Sequence, residues 1–190
     1  MAECVKLISK HCTQKILEQM NNCFNKIKET NNICFFTKIK IKNIIIPVII
    51  ASYQIINYIA NNNKINVYIN NELIKIELGK IKYFNKNYEL AIIQIKENNK
   101  INYLELDNYL YLKESELYYN KESIYIINCN NKNDIYVAYK NNINNLELII
   151  ASNLNKDNIN FSLIFNLANN KLIGLYDNNY NYRNKVILFI

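Results

Sequence analysis

The pattern of apolar and polar residues changes once along the chain, near residue 22. Within residues 3–20, Val5, Ile8, Cys12 and Ile16 recur at the three- and four-residue spacing of a helix. After that point, short apolar or alternating runs replace this spacing, and Asn-rich pieces separate the runs. The pattern therefore predicts an N-terminal helix followed by a series of short strands.

Eleven runs have the length and alternation of β-strands. They cover residues 34–41, 44–50, 65–69, 73–78, 90–95, 123–128, 134–139, 146–150, 161–167, 171–176 and 185–190. Short strands at this spacing are typical of a β-barrel or β-sandwich. Because the chain has only two glycines, its turns must be built from Asn and Asp, and Asn tolerates left-handed backbone. The less regular residues 103–116 could link two barrels.

Composition is dominated by Asn and Ile, which supply 39 and 35 of the 190 residues. Both have A/T-rich codons, so an A/T-rich genome is the simplest explanation of the bias. The close interleaving of Asn with Ile, Leu and Tyr argues for ordered strands rather than a low-complexity polar segment.

The net charge of +7 is spread along the chain without a block of like charges. A solubilising surface explains such a distribution. Weak binding of nucleic acid or of anionic membranes through this basic surface stays an alternative, and Tyr side chains could stack on bases.

Cysteine and histidine usage argues against a metal site and a disulfide framework. The five Cys form no C-x-x-C pair and His11 is the only histidine, so a Cys/His zinc site is not expected. An odd number of Cys fits a reducing, intracellular compartment. The N-terminus lacks the pattern of a signal peptide, and the longest apolar run, residues 44–51, is far shorter than a membrane span.

The residue types by themselves indicate no active site. Two isolated glycines cannot form a phosphate-binding loop, and the carboxylates are too dispersed for a paired acid and base to be picked out. No cofactor is expected.

Four segments, in order, are similar to segments of a known family. They are residues 33–39 (ICFFTKI), 46–56 (IPVIIASYQII), 88–95 (YELAIIQI), and 158–167 with 171–175 (NINFSLIFNL and KLIGL). They resemble chymotrypsin-like serine proteases of the protist and large-virus type. In that family the last three segments lead into the catalytic histidine, open with the catalytic aspartate and carry the nucleophilic serine, which is the chymotrypsin order.

The resemblance implies an all-β fold with two antiparallel six-stranded β-barrels and a short N-terminal helix. The expected boundaries are residues 1–21 for the helix, 22–106 for the first barrel and 107–190 for the second, with both barrels in one compact protease-like unit.

The same resemblance implies that the catalytic triad has been lost. Gln54 stands at the histidine position, Glu89 at the aspartate position and Asn160 at the nucleophile position, while Asn158 replaces the oxyanion-hole glycine. Ser162 falls two residues too late to be the nucleophile. A Gln amide cannot take and return a proton near neutral pH, and an Asn amide is not a useful nucleophile for acyl transfer.

The leading hypothesis is therefore a non-catalytic pseudoprotease that binds a protein or an extended peptide or serves as a structural module. In this family a peptide adds to a strand edge, which would follow Leu175 at Asp177, Asn178 and Asn179, and the base of the specificity pocket would fall near Leu154.

The alternative from a different class is a hydrolase with unconventional catalytic residues. Its candidates are Ser162, Glu89 and Cys129.

Overall fold

A computed structural model describes Glu18 and residues 25–106, 123–128, 135–140, 148–150, 162–166, 169–177 and 185–188. Residues 25–105 fall into one compact unit, and Glu18 groups with the residues from 106 to 188 in the other. The predicted N-terminal helix lies outside the described residues except for Glu18, which is helical.

The first unit contains six strands and one short helix. The strands are β1 (Asn25–Ile27), β2 (Ile33–Ile41), β3 (Ile44–Ser52), β4 (Lys64–Ile69), β5 (Glu72–Asn85) and β6 (Leu90–Ile95). A 3-10 turn (Tyr53–Ile55) and the helix α1 (Ile56–Ile59) follow β3, and a second 3-10 turn (Lys86–Tyr88) precedes β6.

The six strands close into an antiparallel barrel in the order β1-β2-β3-β6-β5-β4. Closure depends on β1, which pairs with β2 through Asn25–Cys34 and with β4 through Ile27–Val67. The predicted first six-stranded barrel is therefore confirmed. After β6 the chain returns along β2, where Thr37 Oγ1 donates a hydrogen bond of 2.7 Å to the Leu104 carbonyl.

Alternating apolar side chains fill the barrel, as the period of two along a strand requires. Ile dominates, because its branched side chain packs well on a pleated surface. The buried core cluster consists of Ile27, Cys34, Phe36, Ile49, Ala51, Ile55, Ile59, Ile65, Val67, Ile69, Ile74, Ile76, Ala91, Ile93, Ile95 and Ile101.

Two hairpins of the barrel have two-residue turns with left-handed backbone. Asn70 and Asn71 connect β4 to β5, with φ of 49° and 68°. Lys42 and Asn43 connect β2 to β3, with φ of 47° and 66°. Positive φ at both turn residues defines a type I′ turn, whose twist matches the flanking strands. The expectation that Asn replaces Gly in the turns holds at three of these four positions.

A bulge bends the long strand β5 at Gly79. Between the pairs Leu78–Ile95 and Lys82–Ile93, β5 advances by four residues and β6 by two. The side chain of Gln94 occupies the space beside Gly79, and its Oε1 accepts a hydrogen bond of 3.2 Å from the Ile81 backbone N–H. The sequence pattern predicted that this strand ends at residue 78; the bulge lets it continue to Asn85.

The second unit contains a six-stranded antiparallel sheet in the order β12-β11-β10-β7-β8-β9. Its strands are β7 (Ser123–Asn128), β8 (Ile135–Lys140), β9 (Leu148–Ile150), β10 (Ser162–Asn166), β11 (Leu172–Asp177) and β12 (Lys185–Leu188). Their number agrees with the prediction, whereas closure into a second barrel stays a prediction. Among the described residues, no helix is long and apolar enough to cross a membrane.

Replacing Gly79 with Ala should destabilise the first unit. The backbone of Gly79 does not have positive φ, but an added Cβ would lie 2.5 Å from Gln94 Cγ. We expect a loss of about 1–3 kcal/mol in the free energy of unfolding, the usual cost of overpacking. Urea denaturation followed by far-UV circular dichroism measures it.

The matched control is the same substitution in a Gln94→Ala background. Because the shorter side chain removes the contact, Gly79→Ala should then cost less than in the native background. An equal cost in both backgrounds would show that the Gln94 contact is not the cause.

Candidate functional site

The end of β3 places Gln54 in an exposed turn. Ser52 caps this 3-10 turn, its Oγ accepting a hydrogen bond of 3.4 Å from the Gln54 backbone N–H. Ile55 and Ile59 then point into the core, which fixes the turn and α1 against the barrel. With its neighbours on the core side, Gln54 is left at the surface.

The start of β6 places Glu89 beside this turn. Ser52 and Leu90 are the last pair of the β3–β6 ladder, and the Tyr53 N–H extends it with a hydrogen bond of 2.7 Å to the Glu89 carbonyl. Gln54 and Glu89 therefore lie on adjoining backbone segments at the same rim of the barrel. The structure brings these two of the three predicted triad positions together.

Glu89 has a left-handed backbone, with φ of 46°. Its N–H donates a hydrogen bond of 3.2 Å to the Lys86 carbonyl, which closes the 3-10 turn before β6. A left-handed conformation is uncommon for residues other than Gly, Asn and Asp and costs roughly 1–2 kcal/mol. Position 89 therefore has a glutamate although its backbone conformation favours Gly, Asn or Asp.

The side chain of Gln54 is held by an amide partner. Asn32 Nδ2 donates a hydrogen bond of 3.1 Å to Gln54 Oε1. Asn32 precedes β2 and follows Asn31, which has a left-handed backbone with φ of 55°. The bond is exposed to solvent, and neither member of the pair can accept a proton near neutral pH.

Aromatic side chains support the rim from the neighbouring strand. The rings of Tyr53 and Phe84 meet edge to face, with centroids 6.4 Å apart. Sequence reasoning missed Asn32 and Phe84, because they reach the site from other elements and no local pattern marks them, and it gave no role to Tyr53, the neighbour of Gln54.

The remaining predicted site residues belong to the second unit. Asn158, Asn160, Leu154, Asn178 and Asn179 lie outside the described residues, as does the alternative nucleophile Cys129.

Asp177 is the last residue of β11 and is in register with Lys185 of β12. Ser162 begins β10, in register with Asn128 and Tyr176, so its backbone lies within the sheet.

Other reactive groups in the described part of the chain do not form a site. Cys34 is completely buried in the barrel, and burial raises the pKa of its thiol far above the usual range. A buried thiol of this kind is a poor nucleophile. Within the described ranges, no group of three or more His, Cys, Asp or Glu could hold a metal ion. His11 lies outside these ranges.

Comparison with solved structures gives a distant likeness. No protein-family model and no curated protein matches this chain. Among solved structures, the serine protease of a human pathogenic astrovirus is 12% identical, with a TM-score of 0.47 over 90% of this chain and 91% of that one. This likeness concerns the fold and assigns no activity.

Substitutions of Glu89 should separate its backbone role from its side chain. Glycine adopts positive φ without strain, whereas Ala does not. We therefore expect Glu89→Gly to have a free energy of unfolding about 1 kcal/mol higher than Glu89→Ala. Urea denaturation of both variants measures the difference.

Glu89→Asn serves as the control, because Asn tolerates the left-handed region while keeping a polar side chain. It should fall closer to Glu89→Gly than to Glu89→Ala. Equal stability of all three variants would contradict a strained backbone at this position.

Proposed function

We propose that this protein is a catalytically inactive member of the chymotrypsin-like protease fold that binds an extended peptide or a protein segment. The observation that carries the proposal is the amide pair at the barrel rim. Where the resemblance implies the catalytic histidine, Gln54 accepts a hydrogen bond from Asn32. This exposed amide pair occupies the histidine position without supplying an imidazole base.

The residues at the implied aspartate and nucleophile positions also argue against catalysis. Glu89 could orient an imidazole, but the position that would hold the imidazole is occupied by Gln54. Loss of a single triad member costs several powers of ten in rate, and further losses add little. The chain, with Gln54, Glu89 and Asn160 at the triad positions, is therefore proposed to have no hydrolase activity.

Peptide binding can survive the loss of the triad, because β-strand addition uses main-chain hydrogen bonds. The strands already paired with β11 restrict the positions at which a peptide could add to it. Its residues from Leu172 to Tyr176 are in register with β10, and those from Gly174 to Asp177 are in register with β12. Because the central part of β11 is paired on both sides, addition is proposed at Asp177, Asn178 and Asn179. Leu154 is proposed to give the adjoining pocket an apolar base.

The proposed architecture follows the resemblance. Residues 22–106 and 107–190 would form two barrels, preceded by the N-terminal helix of residues 1–21.

The purified chain should not cleave peptides. A mixed peptide library is incubated with the native chain and with Gln54→Ala, and the products are identified by mass spectrometry. We expect the two product profiles to be identical, since any cleavage common to both comes from a contaminating protease. Cleavage that only the native chain carries out would overturn the proposal and favour an unconventional hydrolase at this rim.

Peptide retention should depend on the backbone beyond β11 rather than on its side chains. Peptides retained by the immobilised chain are first identified, and their affinity for two variants is then measured by fluorescence polarisation. Asn179→Pro removes a main-chain N–H and should weaken binding about tenfold, whereas Asn179→Ala keeps the N–H and should bind normally.

Thermal melts confirm that both variants fold. If the Ala variant loses as much affinity as the Pro variant, binding is through the side chain and strand addition is wrong.

A further inference from the structure

The hairpin formed by β2 and β3 extends beyond the barrel. β3 pairs with β6 only from Val48 onward, whereas it pairs with β2 back to Ile44. The four β3 residues before Val48 therefore belong to a two-stranded projection, about 13 Å long at the rise of a strand. We call residues 38–47, the paired segments 38–41 and 44–47 with their turn, the hairpin arm.

The tip of the arm carries the two most exposed large apolar side chains of the described residues. Ile44 is 64% exposed and Ile45 is 67% exposed. Ile44 lies opposite Ile41, and Ile45 lies opposite Lys40. Since opposite residues share a face of the hairpin, apolar groups emerge from both faces of the tip. The tip is therefore an apolar wedge rather than a flat surface.

The turn of the arm carries a charge where the backbone favours Asn or Gly. Lys42 has φ of 47°, while the corresponding turn of the β4–β5 hairpin has Asn at both positions. A type I′ turn needs positive φ at both residues and is best made by Asn and Gly. The backbone conformation of this turn is therefore less favourable for Lys42 than it would be for Asn or Gly.

All charged residues of the arm are lysines. Residues 30–71 include no Asp or Glu. At the base of the arm, Lys38 pairs with Glu97. Among the residues that the structure describes, neither Lys40 nor Lys42 forms an ion pair. The tip therefore presents two uncompensated positive charges beside two exposed isoleucines.

This combination fits a lipid surface better than a protein partner. Protein interfaces are enriched in aromatic residues and Arg, are depleted in Lys, and bury about 800 Å² on each side. A narrow tip of Ile and Lys has neither this composition nor this area. At a bilayer, by contrast, Lys reaches the headgroups while its methylene stem lies along apolar neighbours. A second copy of this chain would bring the same lysines together and be repelled.

We propose that the hairpin arm binds the surface of an anionic membrane. Ile44 and Ile45 enter the boundary between headgroups and acyl chains, and Lys40 and Lys42 bind the anionic headgroups. The unpaired strand edges of the arm limit its depth, because backbone polar groups need water or headgroup partners. This binding is peripheral and does not depend on the proposed peptide site.

The chain has no Trp, which makes a single introduced Trp an unambiguous probe. Ile45→Trp should show a blue-shifted emission with vesicles of phosphatidylcholine and phosphatidylserine, and quenching by lipids brominated on the acyl chains. Leu73→Trp is the matched control, since Leu73 is an exposed residue, 46% accessible, near the other type I′ turn. Its emission should change little.

Flotation of the otherwise native chain with the same vesicles tests both components of the binding. Lys40→Gln with Lys42→Gln should weaken binding roughly twentyfold to thirtyfold, since each basic side chain near an anionic surface contributes about a factor of five. Ile44→Ser with Ile45→Ser should weaken it at least about tenfold. Phosphatidylcholine vesicles should bind poorly, and added salt should release the chain.

Several outcomes would overturn the proposal. One is failure of the native chain to float with anionic vesicles, and another is unchanged binding by the Ser variant, which would indicate general electrostatic attraction. Size-exclusion chromatography with light scattering gives the third: a dimer that the Ser variant abolishes would make the tip a contact between copies. Circular dichroism shows whether each variant keeps the native fold.

Discussion

Closure of the first barrel depends on the few hydrogen bonds that hold β1 between β2 and β4. Beyond the two ladders, Ile27 N–H donates to the Asn32 carbonyl and Lys28 N–H to the Asn66 carbonyl, each at 2.9 Å. The Glu29 carboxylate accepts from Asn66 Nδ2 at 2.6 Å and from the Asn66 backbone N–H. A closed barrel has no free strand edge, so these contacts decide whether the unit is a barrel or an open sheet.

Two hydrogen bonds link the candidate site to the contacts that close the barrel. Asn32, whose carbonyl receives the Ile27 bond, also donates to Gln54. Tyr58 of α1 donates to Glu29 at 3.2 Å, which ties the helix after Gln54 to the same carboxylate. Loss of solvation, together with the nearby Glu29 charge, raises the pKa of the Tyr58 hydroxyl. The rim is thus ordered by the same contacts that close the barrel, and its order does not require a catalytic histidine.

Apolar patterning predicted the long strands but not the elements set by tertiary contacts. The runs that became β2, β3, β4 and β6 were predicted to within two residues, because one buried face fixes their period. β1 was missed, since three residues are too few to show a period. The pattern also ended β5 at Leu78, just before Gly79, because the space filled by Gln94 cannot be inferred from neighbours in sequence. For the same reason the Asn32–Gln54 pair, 22 residues apart, was not predictable.

The barrel rim and the hairpin arm each contain a residue with a left-handed backbone that is not Asn or Gly. Of the seven non-glycine residues with positive φ in the described part of the chain, five are Asn, and the others are Lys42 and Glu89. Asn is abundant in this sequence and suits that conformation better than either. A charged side chain kept at the expense of the backbone is expected where the side chain has a use. Lys42 lies at the tip of the arm, where membrane binding is proposed, and Glu89 adjoins Gln54 at the rim where the resemblance implies the catalytic site.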